Sequence, residues 1–159
     1  MILKPDYNVV SLFDIDFEEL WQLGTSVILF DLDSTIMPSK SGVYPSTVLD
    51  LLNELKRNFT IAVISNNKNK AYIQKVQSIS DFAVVGNANK PSPKVMREFL
   101  KNIGKTPEQT VVIGDRPLTD ILAGKLLGAK TVLVDSITKY QEGAPTRIVR
   151  RLERITIRK

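Results

Sequence analysis

Five short apolar runs, separated by segments with helical spacing, constrain the fold of this chain more than any other feature of its sequence. Each run is nearly continuous in aliphatic or aromatic side chains, which is typical of strands covered on both faces of a parallel sheet. The runs are SVILF (26–30), TIAVIS (60–65), FAVV (82–85), TVVI (110–113) and TVLV (131–134). Strands of this kind require a layer of helices on each side of the sheet.

The segments between the runs repeat apolar residues at intervals of three and four, which predicts amphipathic helices. These segments are 48–58, 69–79, 93–104 and 119–128. Gly104 and Gly128 stand where the glycine that ends a helix is expected. The alternation predicts a Rossmann-like α/β fold, a three-layer α/β/α sandwich around a five-stranded, mainly parallel, doubly wound sheet.

The length of 159 residues is expected to form one domain. We divide it into a helical lead-in at 1–25, a core at 26–135 and a basic C-terminal element at 144–159. The chain contains no Cys and no His, which excludes disulfides, thiolate metal sites and imidazole chemistry. Acid–base chemistry must therefore come from carboxylates, Lys or Tyr, and any metal ion should prefer oxygen ligands.

The net charge of +5 is concentrated in RIVRRLERITIRK at 147–159. Two interpretations of this tail stay open: a final helix that packs on the sheet, and a peripheral contact with an anionic membrane. Nucleic acid is not the expected partner, because no base-stacking aromatic residue accompanies the charges. With neither a signal-peptide pattern nor ~20 consecutive apolar residues, we expect a cytoplasmic location, with membrane association through the tail as an addition.

Polar residues follow the carboxyl ends of the predicted strands, where open α/β sheets bind ligands. In chain order they are Asp31, Asp33, Thr35, Ser65, Asn66, Lys90, Asp115 and Asp120. Several carboxylates without His or Cys suit Mg²⁺, which binds carboxylates, waters and a substrate phosphate. One carboxylate can attack phosphorus to form an aspartyl-phosphate while a second protonates the leaving oxygen. Lys90, Ser65 and the backbone N–H of Asn66 could bind phosphoryl oxygens.

Two D-x-D pairs look alike, in LFDIDFEEL (12–20) and LFDLDSTIM (29–37). The first precedes a short helical segment, so Asp16 is expected to cap a helix. The second follows a strand, so Asp31 and Asp33 are expected to point to one side. A turn with solvated aspartates is the alternative for the second pair, but the acidic residues after strand four favour a shared cation.

The motif set resembles the haloacid-dehalogenase superfamily. The resemblance rests on D-x-D-x-T at 31–35, then Ser65, then Lys90, and then Asp115 with Asp120. It implies that Asp31 is the nucleophile and Asp33 the general acid and base, and that Thr35 supports the turn. An Asp at position 33 favours phosphomonoester hydrolysis over dehalogenation.

The same resemblance implies roles for the later motifs. Ser65 would bind the transferring phosphoryl group, and Lys90 would offset its negative charge. Mg²⁺ would be held by Asp31, by the backbone carbonyl of Asp33 and by Asp115. Asp120 would act on the ion directly or through water.

Neither gap in which the superfamily inserts a cap domain is long enough to hold one, so an open site is expected. The chain is similar to the capless subfamily IIIA, the YqeG-like group, in LKPDYNVVSLFDIDFEEL, SNN, A-x-K-P and GD-x-x-x-TD. That group includes phosphatidylglycerophosphate phosphatases, which implies a phosphate on a phospholipid headgroup as substrate. Ala71-Tyr72 stands where a basic residue is expected, which bears on substrate recognition.

Two alternatives to a lipid phosphatase stay open. One is a phosphatase for nucleic-acid ends, nucleotides or sugar phosphates. The other is a non-catalytic module that binds RNA, ribosomes or another partner.

Overall fold

The computed structural model describes residues 3–137, so the basic element at 144–159 and the tail at 147–159 lie outside the described residues. In these residues six strands form one sheet in the order β1-β6-β5-β2-β3-β4, and every neighbouring pair is parallel. The strands are β1 (Tyr7–Asn8), β2 (Val27–Phe30), β3 (Thr60–Ile64), β4 (Ala83–Val85), β5 (Thr110–Gly114) and β6 (Lys130–Leu133). The predicted α/β class is confirmed, and the five predicted strands correspond to β2–β6.

The sixth strand, β1, lies within the segment that the sequence predicts as a helical lead-in. It pairs with β6, and Asp6 fastens it there from both its backbone and its side chain. The Asp6 N–H donates to the Thr131 carbonyl at 3.1 Å, and its Oδ2 accepts from the Thr131 N–H at 2.8 Å. Two residues are too few to form an apolar run, so local pattern could not predict this strand.

Within residues 3–137, five α-helices cover the two faces of the sheet. They are α1 (Phe17–Gln22), α2 (Ser46–Leu55), α3 (Lys70–Ser78), α4 (Lys94–Asn102) and α5 (Leu122–Leu127). Alternate residues of β2 face opposite cores: Phe30 packs with Leu52 of α2, and Leu29 shares a cluster with Met96 of α4. The layers are therefore α1–α3, the sheet, and α4–α5, as the three-layer prediction requires.

The ends of several elements follow local chemistry. Asp16 caps α1, because its Oδ1 accepts from the Glu19 N–H at 3.0 Å, and this confirms its expected role. Asp14 closes the preceding 3₁₀ turn through the Ser11 N–H at 3.1 Å. Gly128 follows α5 with φ +92°, a conformation that glycine adopts without strain. Both aspartates of the first D-x-D pair are thus helix-end residues.

The chain visits β2, β3 and β4 on one side and then returns to β5 on the other side of β2. The strand order therefore reverses between β2 and β5, the place where such sheets bind ligands. Residues 31–45 link β2 to α2 directly, and within residues 3–137 no cap domain is inserted. In the same residues no helix combines the length and apolar character needed to cross a membrane.

Candidate active site

Three carboxylates meet at the reversal point of the sheet. Asp31 follows β2 directly, Asp115 follows β5, and Asp120 lies in the π-helical turn Pro117–Ile121. Each of the three residues offers a carboxylate oxygen within 4.8 Å of the others. The parallel register sets Phe30 opposite Ile113, so the residues that continue these strands emerge side by side. The sheet thus brings together groups that are far apart in sequence.

The Lys90 ammonium lies between two of these carboxylates. Its Nζ is 2.8 Å from Asp31 Oδ1 and 2.7 Å from Asp120 Oδ1, and the lysine side chain is 2% exposed. Burial lowers the pKa of this ammonium, but the charges of Asp120 and Asp31 outweigh burial and hold the pKa above its usual value. Lys90 is therefore a fixed positive charge at the centre of the site.

Asn66 positions the backbone that carries Lys90. Its side-chain oxygen accepts from the Lys90 N–H at 2.6 Å, and its Nδ2 donates to the Lys90 carbonyl at 2.9 Å. The sequence suggested Asn66 as a phosphate ligand through its backbone N–H. The structure adds a side-chain role, the attachment of the Lys90 segment to the end of β3.

The three clustered carboxylates differ in how much of each is exposed to solvent. The Asp31 side chain is 15% exposed and that of Asp120 only 2%, while Asp115 is 1% exposed as a residue. Burial and the neighbouring Asp31 charge raise the pKa of Asp120 to about 6, although Lys90 acts in the opposite direction. Asp31 is accordingly the carboxylate of this group that an external phosphate can reach.

Gly114, the last residue of β5, makes room for Asp120. A Cβ at this position would overlap the Asp120 carboxyl group. The Asp120 Oδ2 also accepts from the Arg116 N–H at 3.2 Å. A glycine in front of Asp115 is therefore a packing requirement of the site.

Thr35 connects two of the acidic residues. Its buried hydroxyl lies 3.2 Å from Asp31 Oδ2 and 3.0 Å from Asp115 Oδ1, so its single proton can be donated to either. A tight turn brings Thr35 back over the strand end, with Ser34 at φ +72° and the Thr35 N–H bonded to the Leu32 carbonyl at 3.2 Å. The structure thus places Thr35 inside the carboxylate cluster.

Asp33 has different neighbours. Its Oδ1 accepts from the Tyr72 hydroxyl at 2.7 Å and from the Lys40 N–H at 2.9 Å. Asp33 is not one of the three clustered carboxylates, and its predicted contribution to a metal site was a backbone carbonyl. Sequence reasoning did not find Tyr72 as a partner of Asp33. The only hint of this role in the sequence was that Ala71-Tyr72 stands where a basic residue was expected.

Ser65 is buried at the end of β3, next to β2 in the sheet. Its Oγ accepts from the Asn67 N–H at 3.1 Å, which leaves the hydroxyl proton able to point toward a ligand. The register pairs Val63 with Phe30, so Ser65 emerges beside the Asp31 segment. The predicted phosphate-binding residues after β3 therefore lie at the same edge as the carboxylates.

The donor set fits a hard divalent cation. The clustered ligand atoms are carboxylate oxygens, and the chain contains no Cys or His to favour a softer metal. Two of the three clustered carboxylates, those of Asp31 and Asp120, pair with the Lys90 ammonium. Asp31, Asp115 and Asp120 are the residues that could hold a divalent cation here.

The comparisons with known proteins define the class. Residues 87–154 match the family model HAD-hydrolase-like, and relatives that align with 94% of the chain are named phosphatases. A haloacid dehalogenase-like hydrolase from Bacteroides fragilis has the same fold, with a TM-score of 0.56, 14% identity and coverage of 73% of this chain and 99% of that one. The chain thus resembles the haloacid-dehalogenase-like hydrolases in sequence and fold, and its phosphatase relatives support a phosphomonoester hydrolase.

Two relatives define the likeness more narrowly. The chain is 29% identical to Probable phosphatase YqeG of Bacillus subtilis (strain 168), over 94% of this chain and 87% of that protein. It is also 29% identical to Phosphatidylglycerophosphate phosphatase 1, chloroplastic/mitochondrial, of Arabidopsis thaliana, over 94% of this chain. That alignment spans 45% of the Arabidopsis protein, so the two share less than half of its length.

Proposed function

We propose that this protein is a Mg²⁺-dependent phosphomonoester hydrolase that acts through an aspartyl-phosphate on Asp31. The observation that carries the proposal is the cluster of Asp31, Asp115 and Asp120 at the reversal point of the sheet, with the Lys90 ammonium paired to Asp31 and Asp120. Asp31 is the partly exposed carboxylate of the three, so it can meet a phosphate that approaches from solvent.

The reaction has two steps. An Asp31 oxygen attacks phosphorus, the bond from phosphorus to the leaving oxygen breaks, and Asp33 gives that oxygen a proton. A water then attacks the same phosphorus and returns a proton to Asp33, while the bond to Asp31 breaks and inorganic phosphate is released. When bound, Mg²⁺ would offset the negative charge of the phosphoryl oxygens and the carboxylates.

The remaining residues bind and orient the substrate. The Ser65 hydroxyl and the backbone N–H of Asn66 donate to phosphoryl oxygens. The Lys90 ammonium balances the charge on the phosphoryl group during transfer. Asp120 holds Lys90, and Thr35 holds Asp31 and Asp115 in position.

We expect Asp31→Asn to lower the hydrolysis of 4-nitrophenyl phosphate by at least about a thousandfold, because the amide cannot act as the nucleophile. Asp16→Asn is the matched control, since it alters the other D-x-D pair and Asn is as good a helix cap as Asp. Circular dichroism would check the fold of both variants. Full activity in Asp31→Asn would refute the proposed mechanism.

A lipid phosphate is the second, narrower proposal for the substrate. It is supported by the likeness to the Arabidopsis phosphatidylglycerophosphate phosphatase. The direct link from β2 to α2, without a cap domain in the described residues, also suits a phosphate on a large or membrane-bound molecule. The basic tail at 147–159 would add attraction to an anionic surface.

Turnover on phosphatidylglycerophosphate in mixed micelles should exceed that on a panel of soluble nucleotides, sugar phosphates and 5′-phosphorylated oligonucleotides. We expect a preference of at least about tenfold in kcat/KM, equivalent to about 1.4 kcal/mol of transition-state binding. A preference for a nucleotide, a sugar phosphate or a nucleic-acid end would support the rival phosphatase. RNA binding that survives Asp31→Asn, without any turnover, would support the non-catalytic alternative.

A further inference from the structure

The hydrogen bonds around Asp33 come from a helix and a loop that the proposed mechanism does not otherwise use. The Tyr72 hydroxyl of α3 is 2.7 Å from Asp33 Oδ1, and the Lys40 N–H of the loop after β2 is 2.9 Å from the same oxygen. The Asp33 side chain is thus held by two hydrogen bonds, one from Tyr72 and one from the backbone of the loop after β2.

These contacts leave the two carboxylate oxygens of Asp33 unequal. Both hydrogen bonds reach Oδ1, and none from within residues 3–137 reaches Oδ2. A carboxyl group held by Oδ1 carries a transferable proton on Oδ2. The direction of that oxygen relative to Asp31 therefore depends on the anchors at Oδ1.

Tyr72 is suited to act as such an anchor. It is half-buried on α3, with its hydroxyl also 3.4 Å from Met37 Sδ, so its ring has little freedom to move. Burial and the neighbouring Asp33 raise the pKa of the Tyr72 hydroxyl, so it remains a protonated donor. A donor of this kind fixes the carboxylate without competing for the proton.

We propose that Tyr72 is a positioning residue that orients Asp33 toward the leaving-group oxygen, and thereby allows the enzyme to act on phosphates with poor leaving groups. This inference rests on the proposed function, because it assumes that Asp33 donates the proton. The proton passes from Asp33 Oδ2 to the oxygen released from phosphorus, and Tyr72 keeps its own proton throughout.

The test compares two aryl phosphates of similar shape. 4-Nitrophenolate leaves readily without protonation. Phenolate is a stronger base, so its departure depends more on receiving a proton. Because Asp33 also takes a proton from water in the second step, which both substrates share, the comparison uses kcat/KM, which reports the first step. In Tyr72→Phe, kcat/KM for phenyl phosphate should fall by about tenfold, a fraction of the effect of a full general acid. The value for 4-nitrophenyl phosphate should change by less than about twofold, because its leaving group makes little use of that acid.

Tyr44→Phe is the matched control. It removes a tyrosine hydroxyl from the same neighbourhood, but one that pairs with Ser80 Oγ at 2.8 Å and does not contact Asp33. It should lower the rate for both substrates equally or for neither. In an Asp33→Asn background, Tyr72→Phe should leave the ratio of the two rates unchanged, as expected for residues that act as a unit.

Each other outcome would overturn the inference. Equal losses on both substrates, or a change in KM alone, would make Tyr72 a structural residue. No loss, or faster hydrolysis of phenyl phosphate, would show that the contact is dispensable or holds Asp33 in an unproductive position. A wild-type protein inactive on both substrates would instead refute the proposed function.

Discussion

Lys90 shows how the residues of this site depend on one another. An ammonium that is almost fully buried requires partners, and Asp31 and Asp120 each approach it within 2.8 Å. Removing one carboxylate would leave the other charges unbalanced in a poorly solvated place. We therefore expect substitutions at this centre to affect the neighbouring groups as well as the residue replaced.

Gly114 allows a prediction about this packing. In Gly114→Ala the new methyl group would displace the Asp120 carboxyl group, and with it the contact to Lys90. We expect kcat on 4-nitrophenyl phosphate to fall by about a hundredfold, the effect of a misplacement of about 1 Å at a reacting centre.

Gly124→Ala provides the comparison. A methyl group there would meet Thr131 and Val112 in the core, away from the carboxylates. It should lower the melting temperature but leave kcat within about twofold at temperatures where the protein is folded. If Gly114→Ala kept full activity, the close packing of Gly114 against Asp120 would not be needed for catalysis.

Side-chain identity and order along the chain predicted which residues would gather at the sheet edge. They could not predict the pairing of Asp33 with Tyr72, because these residues are 39 positions apart and lie on a loop and a helix. Nor could they predict the side-chain role of Asn66. Such contacts depend on how α3 and the strand ends pack, which no local pattern encodes.

At the scale of elements, the apolar runs predicted β2–β6 well, most directly for β2 and β5, which are buried along their whole length. Strand β1 was missed because a two-residue strand depends on its partner β6 and on Asp6. The helix predicted at 119–128 is less regular in the structure than the sequence indicated. It begins as a π-helical turn at Pro117–Ile121 and becomes α-helical at Leu122. This turn matters because it carries Asp120.

The stability of the whole molecule should respond to the proposed Mg²⁺ ion. If Mg²⁺ binds the folded carboxylate cluster and not the unfolded chain, it stabilises the fold by mass action. At about a hundred times its dissociation constant the free energy of unfolding should rise by about 2.7 kcal/mol. For a chain of this size the melting temperature should rise by about 5–10 °C, measured by calorimetry with and without the ion.

Two variants make this measurement specific. Asp115→Asn should remove most of the Mg²⁺-dependent rise, since it replaces a buried carboxylate of the cluster. Asp81→Asn should keep it, because Asp81 pairs with Lys56 at an exposed position. An equal rise in Asp115→Asn and in the wild type would place the ion elsewhere.

The reversal of strand order has a consequence for synthesis on the ribosome. The groups that meet at the cluster come from positions as early as 31 and as late as 120. A nascent polypeptide that ends before β5 has the proposed nucleophile, Asp31, and Lys90 but lacks Asp115 and Asp120. Such an unfinished polypeptide should be inactive, so activity would begin only when nearly all of the described chain has left the exit tunnel.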